Sequence, residues 1–373
     1  MRQVINKTLI LRLSSIGDVV LATPFLRVFR AAYPDAEIDF VVKKEFADLL
    51  RHNPNITRLH ELDASLGREE LLRWKKFFSS QQYDAVFDLH NNFRTKILRG
   101  GIRAPRFVVN KRTLERWLLV QCKWNLFREI IPVAERYIET VATLHVKPDQ
   151  RSCEIYTPPH TDESVRAKLT TYFQQNELKP MVALCPGAKH FTKRWSVEYY
   201  ASLARRITEK LDYNIIVLGG PDEAAICETI ASIDRSRIFN TCGAFSLLES
   251  VAAFDHCALA VTNDSGLMHI ATARDCPVLA IFGSTVREFG FAPYNAKSII
   301  MENSALTCRP CSHIGRSACP KEHFRCMKEI TPDLVFEETM KYSSNNLNLS
   351  HPQQRVSTPR TDKNQHGFPP SRE

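Results

Sequence analysis

The stretch Ala258–Gly283 constrains the fold of this chain more than any other. Leu259–Thr262 is a short β-branched apolar run, Asn263–Gly266 supplies turn formers and a helix cap, and Leu267–Arg274 carries apolar residues at helical spacing. Pro277 stops that helix and Val278–Phe282 is a second apolar run. A strand, a helix and a strand joined this closely form a βαβ unit, the building block of parallel sheets buried on both faces. Its first loop falls at the carboxyl end of a parallel strand, where open α/β sheets bind ligands, with helix N–H groups beside Asp264, Ser265 and Gly266. The residues alone leave two readings: a cradle for a small polar ligand, or a plain helix cap.

The chain opens with a second unit of the same kind. Leu9–Leu13 reads as a strand, Ser14–Asp18 as a tight turn, and the next segment as one helix with Leu21, Phe25, Phe29 and Ala32 on its inner face and Pro24 in its early turns. Ile38–Val42 is the following strand. Asp18 stands at the helix N-terminus, either as a cap worth on the order of 1 kcal/mol or as a general base at the mouth of a cleft. No G-x-G-x-x-G accompanies it, so a nicotinamide oxidoreductase is disfavoured. Beyond a strand at Ala85–Leu89, the segment Arg94–Arg116 holds eight basic residues against Glu115 alone. Such a run fits a phosphorylated acceptor or an anionic membrane surface, or is a solvated face. Nucleic acid is not expected, because no aromatic platform or recognised module goes with the charge.

Lys147–Thr161, with Pro148, Pro158 and Pro159, reads as a linker, and a second α/β series follows it. Met181–Leu184 is a strand leading into Cys185–Trp195, Ser196 caps a helix to Leu211, and Asn214–Leu218 is a strand ending in Gly219-Gly220-Pro221-Asp222-Glu223. A length of 373 residues favours two domains, placed at 1–155 and 162–341. Thr331–Tyr342 is a closing helix, and the Ser-, Asn-, Gln- and Pro-rich residues 343–373 read as a disordered tail.

With 44% hydrophobic and 24% charged residues the chain has globular composition, and its net charge of +9 favours anionic partners. No apolar run reaches membrane-spanning length and Arg12 interrupts the first one, so the expected location is the cytoplasm. Eleven cysteines, an odd number, point to reduced thiols. Four of them, Cys308, Cys311, Cys319 and Cys326, lie within 19 residues and are either a structural zinc site or packed thiols; only the first pair has metal spacing.

Five motifs in order resemble the family 9 glycosyltransferases, the family of the ADP-heptose:lipopolysaccharide heptosyltransferases. They are Ser-Ser-Ile-Gly-Asp-Val from Ser14, Pro-Gly-Ala…Lys-Arg-Trp at Pro186–Trp195, Gly-Gly-Pro-Asp-Glu at Gly219–Glu223, Asn-Asp-Ser-Gly-Leu-Met-His at Asn263–His269, and Phe-Gly-Ser-Thr at Phe282–Thr285. The resemblance implies a GT-B architecture, two Rossmann-like domains facing across a cleft, with the acceptor on the N-terminal side and the sugar nucleotide on the other. It implies Asp18 as catalytic base, Lys193 on the donor diphosphate, Glu223 on the nucleoside, Asp264 on the sugar hydroxyls, and Ser265 and Gly266 as backbone donors to phosphate. Gly187 and Thr192 belong to the donor loop, and His269 either contacts phosphate or packs. The donor implied is ADP-heptose with no cofactor required. The acceptor is the lipid A-linked inner core of lipopolysaccharide, met peripherally at the anionic cytoplasmic face of the inner membrane. A family member using another sugar nucleotide, or a sugar-nucleotide epimerase of the same shape, is the alternative.

Overall fold

The computed structural model describes residues 4–175 and 178–346. In the first half the elements are β1 (Lys7–Leu11), α1 (Ile16–Val20), α2 (Thr23–Ala32), β2 (Glu37–Lys43), β3 (Arg58–Leu62) and α3 (Gly67–Ser80). β4 (Ala85–Asp88), α4 (Phe93–Leu98), β5 (Arg106–Val108), α5 (Thr113–Gln121) and α6 (Val133–Ile138) complete it. The second half runs α7 (Pro159–Phe173), β6 (Met181–Cys185), α8 (Val197–Lys210), β7 (Asn214–Val217), α9 (Ala224–Ala231), β8 (Ile238–Asn240) and α10 (Leu247–Ala253). It continues with β9 (Cys257–Asn263), α11 (Gly266–Ala273), β10 (Val278–Phe282), β11 (Ser298–Glu302), α12 (Arg325–Lys328) and α13 (Pro332–Asn346).

Every strand pair is parallel. The first sheet has the order β3-β2-β1-β4-β5 and the second β11-β10-β9-β6-β7-β8. Each therefore reverses its winding once, between β1 and β4 and between β6 and β9. The crevice outside such a reversal is where doubly wound sheets hold ligands. Central strands β4, β6, β7 and β10 are buried at every position, as helices on both faces require. One apolar cluster runs from Phe25 and Phe29 of α2 and Phe87 of the first sheet through Met268 and Ala271 of α11 to Ala183 and Ala260 on the second sheet. The α/β class expected from the two βαβ units is the architecture found.

Several details differ from expectation. The opening helix is two helices, because Pro24 has no N–H to give to a preceding carbonyl; α2 restarts there, and the Thr23 hydroxyl donates to the Val20 carbonyl at 2.8 Å. The Pro-rich segment 147–161 is anchored on both sides rather than loose. Buried Arg27 binds Asp149 at 2.6 Å and Glu154 at 2.7 Å, while Ser152 donates to the carbonyls of Thr272 and Tyr294. Cys227 and Cys242 form a disulfide, against the expectation of reduced thiols throughout, because α9 and the turn after β8 bring their Cα atoms to 6.3 Å. The closing helix runs to Asn346, into the segment read as tail, whose remainder, 347–373, lies outside the described residues.

Candidate active site

The turn after β1 presents Asp18 in the third position of α1, and its partners fix it tightly. The Arg12 guanidinium lies 2.6 Å from Oδ1, the Tyr137 hydroxyl donates to the same oxygen at 3.3 Å, and the Ser15 hydroxyl donates to Oδ2 at 3.0 Å. Arg12 is buried, donates to the Leu89 carbonyl at 2.6 Å, and stacks 5.4 Å from the Tyr137 ring centroid. Burial pushes the Asp18 carboxyl up, but Arg12 and the Ser15 hydrogen bonds outweigh it and hold the pKa below 3.8. His90, after β4, accepts the Leu13 N–H on Nδ1 at 3.2 Å. Its pKa is driven down to about 3, first by burial and then by Arg12 and Lys111, so the imidazole beside Asp18 is neutral.

Across from these groups, the loops after β6, β7 and β9 converge. The Lys193 ammonium lies 2.6 Å from Asp264 Oδ2, which also accepts the Thr285 hydroxyl at 2.6 Å. Asn263 ties the loops together: its Nδ2 donates to the Pro186 carbonyl at 2.8 Å and its Oδ1 accepts the Trp195 N–H at 3.0 Å. Glu223 accepts the Gly220 N–H at 3.0 Å and lies directly over Gly187, where a Cβ would come within 1.8 Å of Oε1. A side chain at 187 would push the Glu223 carboxylate from this place. Ser265 caps α11 without using its side chain, and its buried Oγ has no partner.

The two sides meet at α1 and α11. A Cβ on Gly266 would fall 2.8 Å from Ile16 Cγ2, and one on Gly17 would fall 2.6 Å from His269 Cδ2, so the helix N-termini touch through two glycines. His269 is buried with its pKa lowered to about 4, first by burial and last by Lys193, while Asp264 and Asp18 pull the other way. One side chain thus lies in the field of the first half's carboxylate and of both members of the second half's pair. The rim is cationic. Half-buried Lys111 and Arg116 both act on Asp18, and His313, from the Cys-rich segment, is held below its usual value by burial and then by Arg116, Lys111 and Lys193. With Asp18 and Asp264 already paired, the gap has an excess of positive charge that suits a polyanion.

The structure brings Asp18, Gly187, Lys193, Glu223, Asp264, Ser265 and Gly266 to these facing edges. Two further residues of these motifs are buried. Thr192 is buried, and its hydroxyl accepts from Ser284 Oγ at 2.9 Å and from the Arg316 N–H at 2.8 Å, so it braces the loop rather than facing a ligand. His269 packs on Gly17 as a neutral ring, which is the packing reading of the two its motif left open. Among the described residues no three His, Cys, Asp or Glu side chains are grouped to hold a metal ion, the four cysteines included. The Cys311 thiol instead donates to the Cys308 carbonyl at 3.4 Å. Sequence reasoning missed Arg12, Tyr137, His90 and His313, whereas Lys111 and Arg116 lie in the basic run Arg94–Arg116. Arg12 had a signal, an arginine closing an apolar strand, since a buried arginine needs a partner.

The sequence profile of glycosyltransferase family 9 (heptosyltransferase) matches residues 71–321. Lipopolysaccharide heptosyltransferase 2 of Escherichia coli is 25% identical over 347 residues, covering 89% of this chain and 97% of that protein. Among solved structures, a family 9 glycosyl transferase from Veillonella parvula superimposes with a TM-score of 0.75 at 23% identity, covering 91% of this chain and 98% of the other. The E. coli ADP-heptose LPS heptosyltransferase II superimposes with a TM-score of 0.69 at 22% identity, covering 91% and 99%.

Proposed function

The chain belongs to glycosyltransferase family 9 and has its GT-B fold, and on that premise we propose that it transfers heptose from ADP-L-glycero-D-manno-heptose to the inner core of lipopolysaccharide. The observation carrying the reading is the gap itself, in which Asp18 of the first half and Lys193 with Asp264 of the second act on one buried imidazole. The relatives of nearly equal length are lipopolysaccharide heptosyltransferases, which supports the donor and acceptor.

The chemistry is a single inverting displacement. The acceptor hydroxyl oxygen bonds to the anomeric carbon of heptose as the bond from that carbon to the diphosphate oxygen breaks, and the hydroxyl proton passes to Asp18. Asp18 is ionised at neutral pH and held in one orientation by Arg12, Ser15 and Tyr137, as a general base must be. Charge accumulating on the departing ADP is met by the Lys193 ammonium and the Ser265 and Gly266 N–H groups at the start of α11. Asp264 uses only Oδ2 for Lys193 and Thr285, which leaves Oδ1 for the sugar hydroxyls. Glu223, over Gly187, takes the ribose. Lys111 and Arg116 face the acid groups of the acceptor. The acceptor is lipid-linked, so the enzyme works peripherally at the cytoplasmic face of the inner membrane; no helix among the described residues is long and apolar enough to cross one.

The test is ADP release from ADP-heptose, and from other sugar nucleotides, with and without heptose-deficient lipopolysaccharide. Release that requires both ADP-heptose and acceptor is the expected result. Turnover without acceptor, as an epimerase would give, overturns the proposal, and equal turnover of another donor overturns the choice of sugar.

A further inference from the structure

Residues 113–131 comprise α5 and an irregular strap leading to α6. Within these 19 positions Leu114, Trp117, Trp124, Leu126 and Ile130 are each more than half exposed, five of the fifteen large apolar side chains exposed among the described residues. The strap is not loose. Lys123 Nζ donates to the carbonyls of Cys308 and Pro310 at 3.1 and 2.6 Å, and Asn125 Nδ2 donates to Glu288 Oε1 at 3.2 Å, which ties it across to the second half. Exposed tryptophans held by a fixed backbone are costly in water and are not needed by the core.

We infer that α5 and the strap seat the enzyme on an anionic lipid bilayer, with Trp117 and Trp124 at the level of the headgroups. Three features select a bilayer. Tryptophan with leucine and isoleucine beside cations is the composition of interfacial anchors. Residues 111–131 carry Lys111, Arg112, Arg116, Lys123 and Arg128 against Glu115 and Glu129, and with Arg112 neutralised by Glu139 an excess of two positive charges remains to complement acidic headgroups. The same helix that exposes Leu114 and Trp117 turns Arg116 toward Asp18, so a lipid-linked acceptor lying against α5 is already at the acceptor side of the cleft. This last link rests on the proposed acceptor; the binding does not.

The experiment floats the full chain on vesicles of phosphatidylcholine alone and of phosphatidylcholine with phosphatidylglycerol, with no sugar substrate present. Expected are flotation that depends on the anionic lipid, a blue shift of tryptophan emission, and quenching by brominated lipid. The double variant Trp117→Ser/Trp124→Ser should weaken vesicle binding by about tenfold or more. Its turnover on a deacylated, water-soluble acceptor should be unchanged, which separates failure of the surface from failure of the proposed reaction. Absence of anionic-vesicle binding, or equal binding by the variant, overturns the inference. So does a dimer in light scattering that the double variant converts to monomer, since the face would then be a self-contact. Quenching of the unmodified chain needs no variant and guards against misfolding.

Discussion

Each half of the molecule sets a carboxylate beside a cation at the reversal point of its sheet, but the two pairs are built in opposite senses. In the first half the cation is the fixed partner. Arg12 is buried, clamped by the Leu89 carbonyl and the Tyr137 ring, and Asp18 is the member reaching solvent, at 19% side-chain exposure. In the second half the carboxylate is the fixed partner. Asp264 is 6% exposed and pinned by Thr285, while Lys193, at 16%, reaches it from a short turn. A group that must accept a proton needs an open face and a locked orientation. A group that must follow charge onto a departing phosphate needs reach. For the proposed transfer, this inversion suits Asp18 to the base and Lys193 to the cation.

Replacing Asp18 by Asn makes the largest test of that assignment. The amide keeps the shape but cannot take a proton, so kcat should fall about 10³-fold. ADP affinity, measured by calorimetry, should hardly change, because no donor contact is lost. Retention of kcat within tenfold would mean that the two pairs are not divided in this way. Lys193→Gln comes next. It should lower kcat/KM about 10²-fold and weaken ADP binding in the same variant, because the ammonium acts on the diphosphate both before and during bond breaking. A Lys193 variant with normal ADP affinity and low kcat would move the cation off the donor.

Much of this arrangement was legible in the residues, and what escaped did so for physical reasons. Both βαβ units and the carboxyl-edge loops that hold Asp18 and Asp264 follow from turn chemistry and period, whereas Lys193 and Glu223 are singled out only by the resemblance to family 9. The short edge strands β5 and β8, three residues each, leave too little pattern to read. The groups around Asp18 come from β1, β4, α5 and α6, up to 119 positions away for Tyr137, and no local spacing reports contacts closed through space. Thr192 and His269 lie in the right motifs, yet burial, which a motif does not encode, turned them inward.

Arg12 sharpens the comparison through pH. Burial alone would raise the Asp18 pKa; Arg12 is the largest influence opposing it, and the balance lies below 3.8. The ionised form is the active base, so the acid limb of kcat/KM should lie below 3.8 in the native enzyme. Arg12→Met should carry that limb upward, because the largest influence opposing desolvation is gone and the Ser15 and Tyr137 hydrogen bonds and the more distant Lys111 and Arg116 remain. Stability follows the same sign: a depressed carboxylate stabilises the fold above its unfolded pKa, and this is lost as pH falls through the folded value. An acid limb that stays in place in the variant would show that Arg12 supports the backbone and not the base.

The smallest expected effect concerns the point where the two halves touch. His269 is a base whose folded pKa, about 4, lies below its ordinary 6.5. Between those values the unfolded chain binds a proton that the folded chain does not. Stability should therefore decline by about 1.4 kcal/mol per pH unit as pH falls from 6.5 toward 4, and then level off for this group. Urea titrations across that range should show the slope, and His269→Gln should remove it while leaving transfer at neutral pH within a few-fold, since the ring is buried against Gly17. Gly17→Ala approaches the same contact from the other side. Its methyl falls 2.6 Å from His269 Cδ2, so the ring or α1 must shift at a cost of about 1–3 kcal/mol. That shift also carries Asp18, one residue on, away from Lys193, so kcat should fall in proportion to the displacement while ADP binding, confined to the second half, stays put. If Gly17→Ala lowers stability but leaves kcat intact, the halves can adjust independently and the packed contact is not what sets the gap.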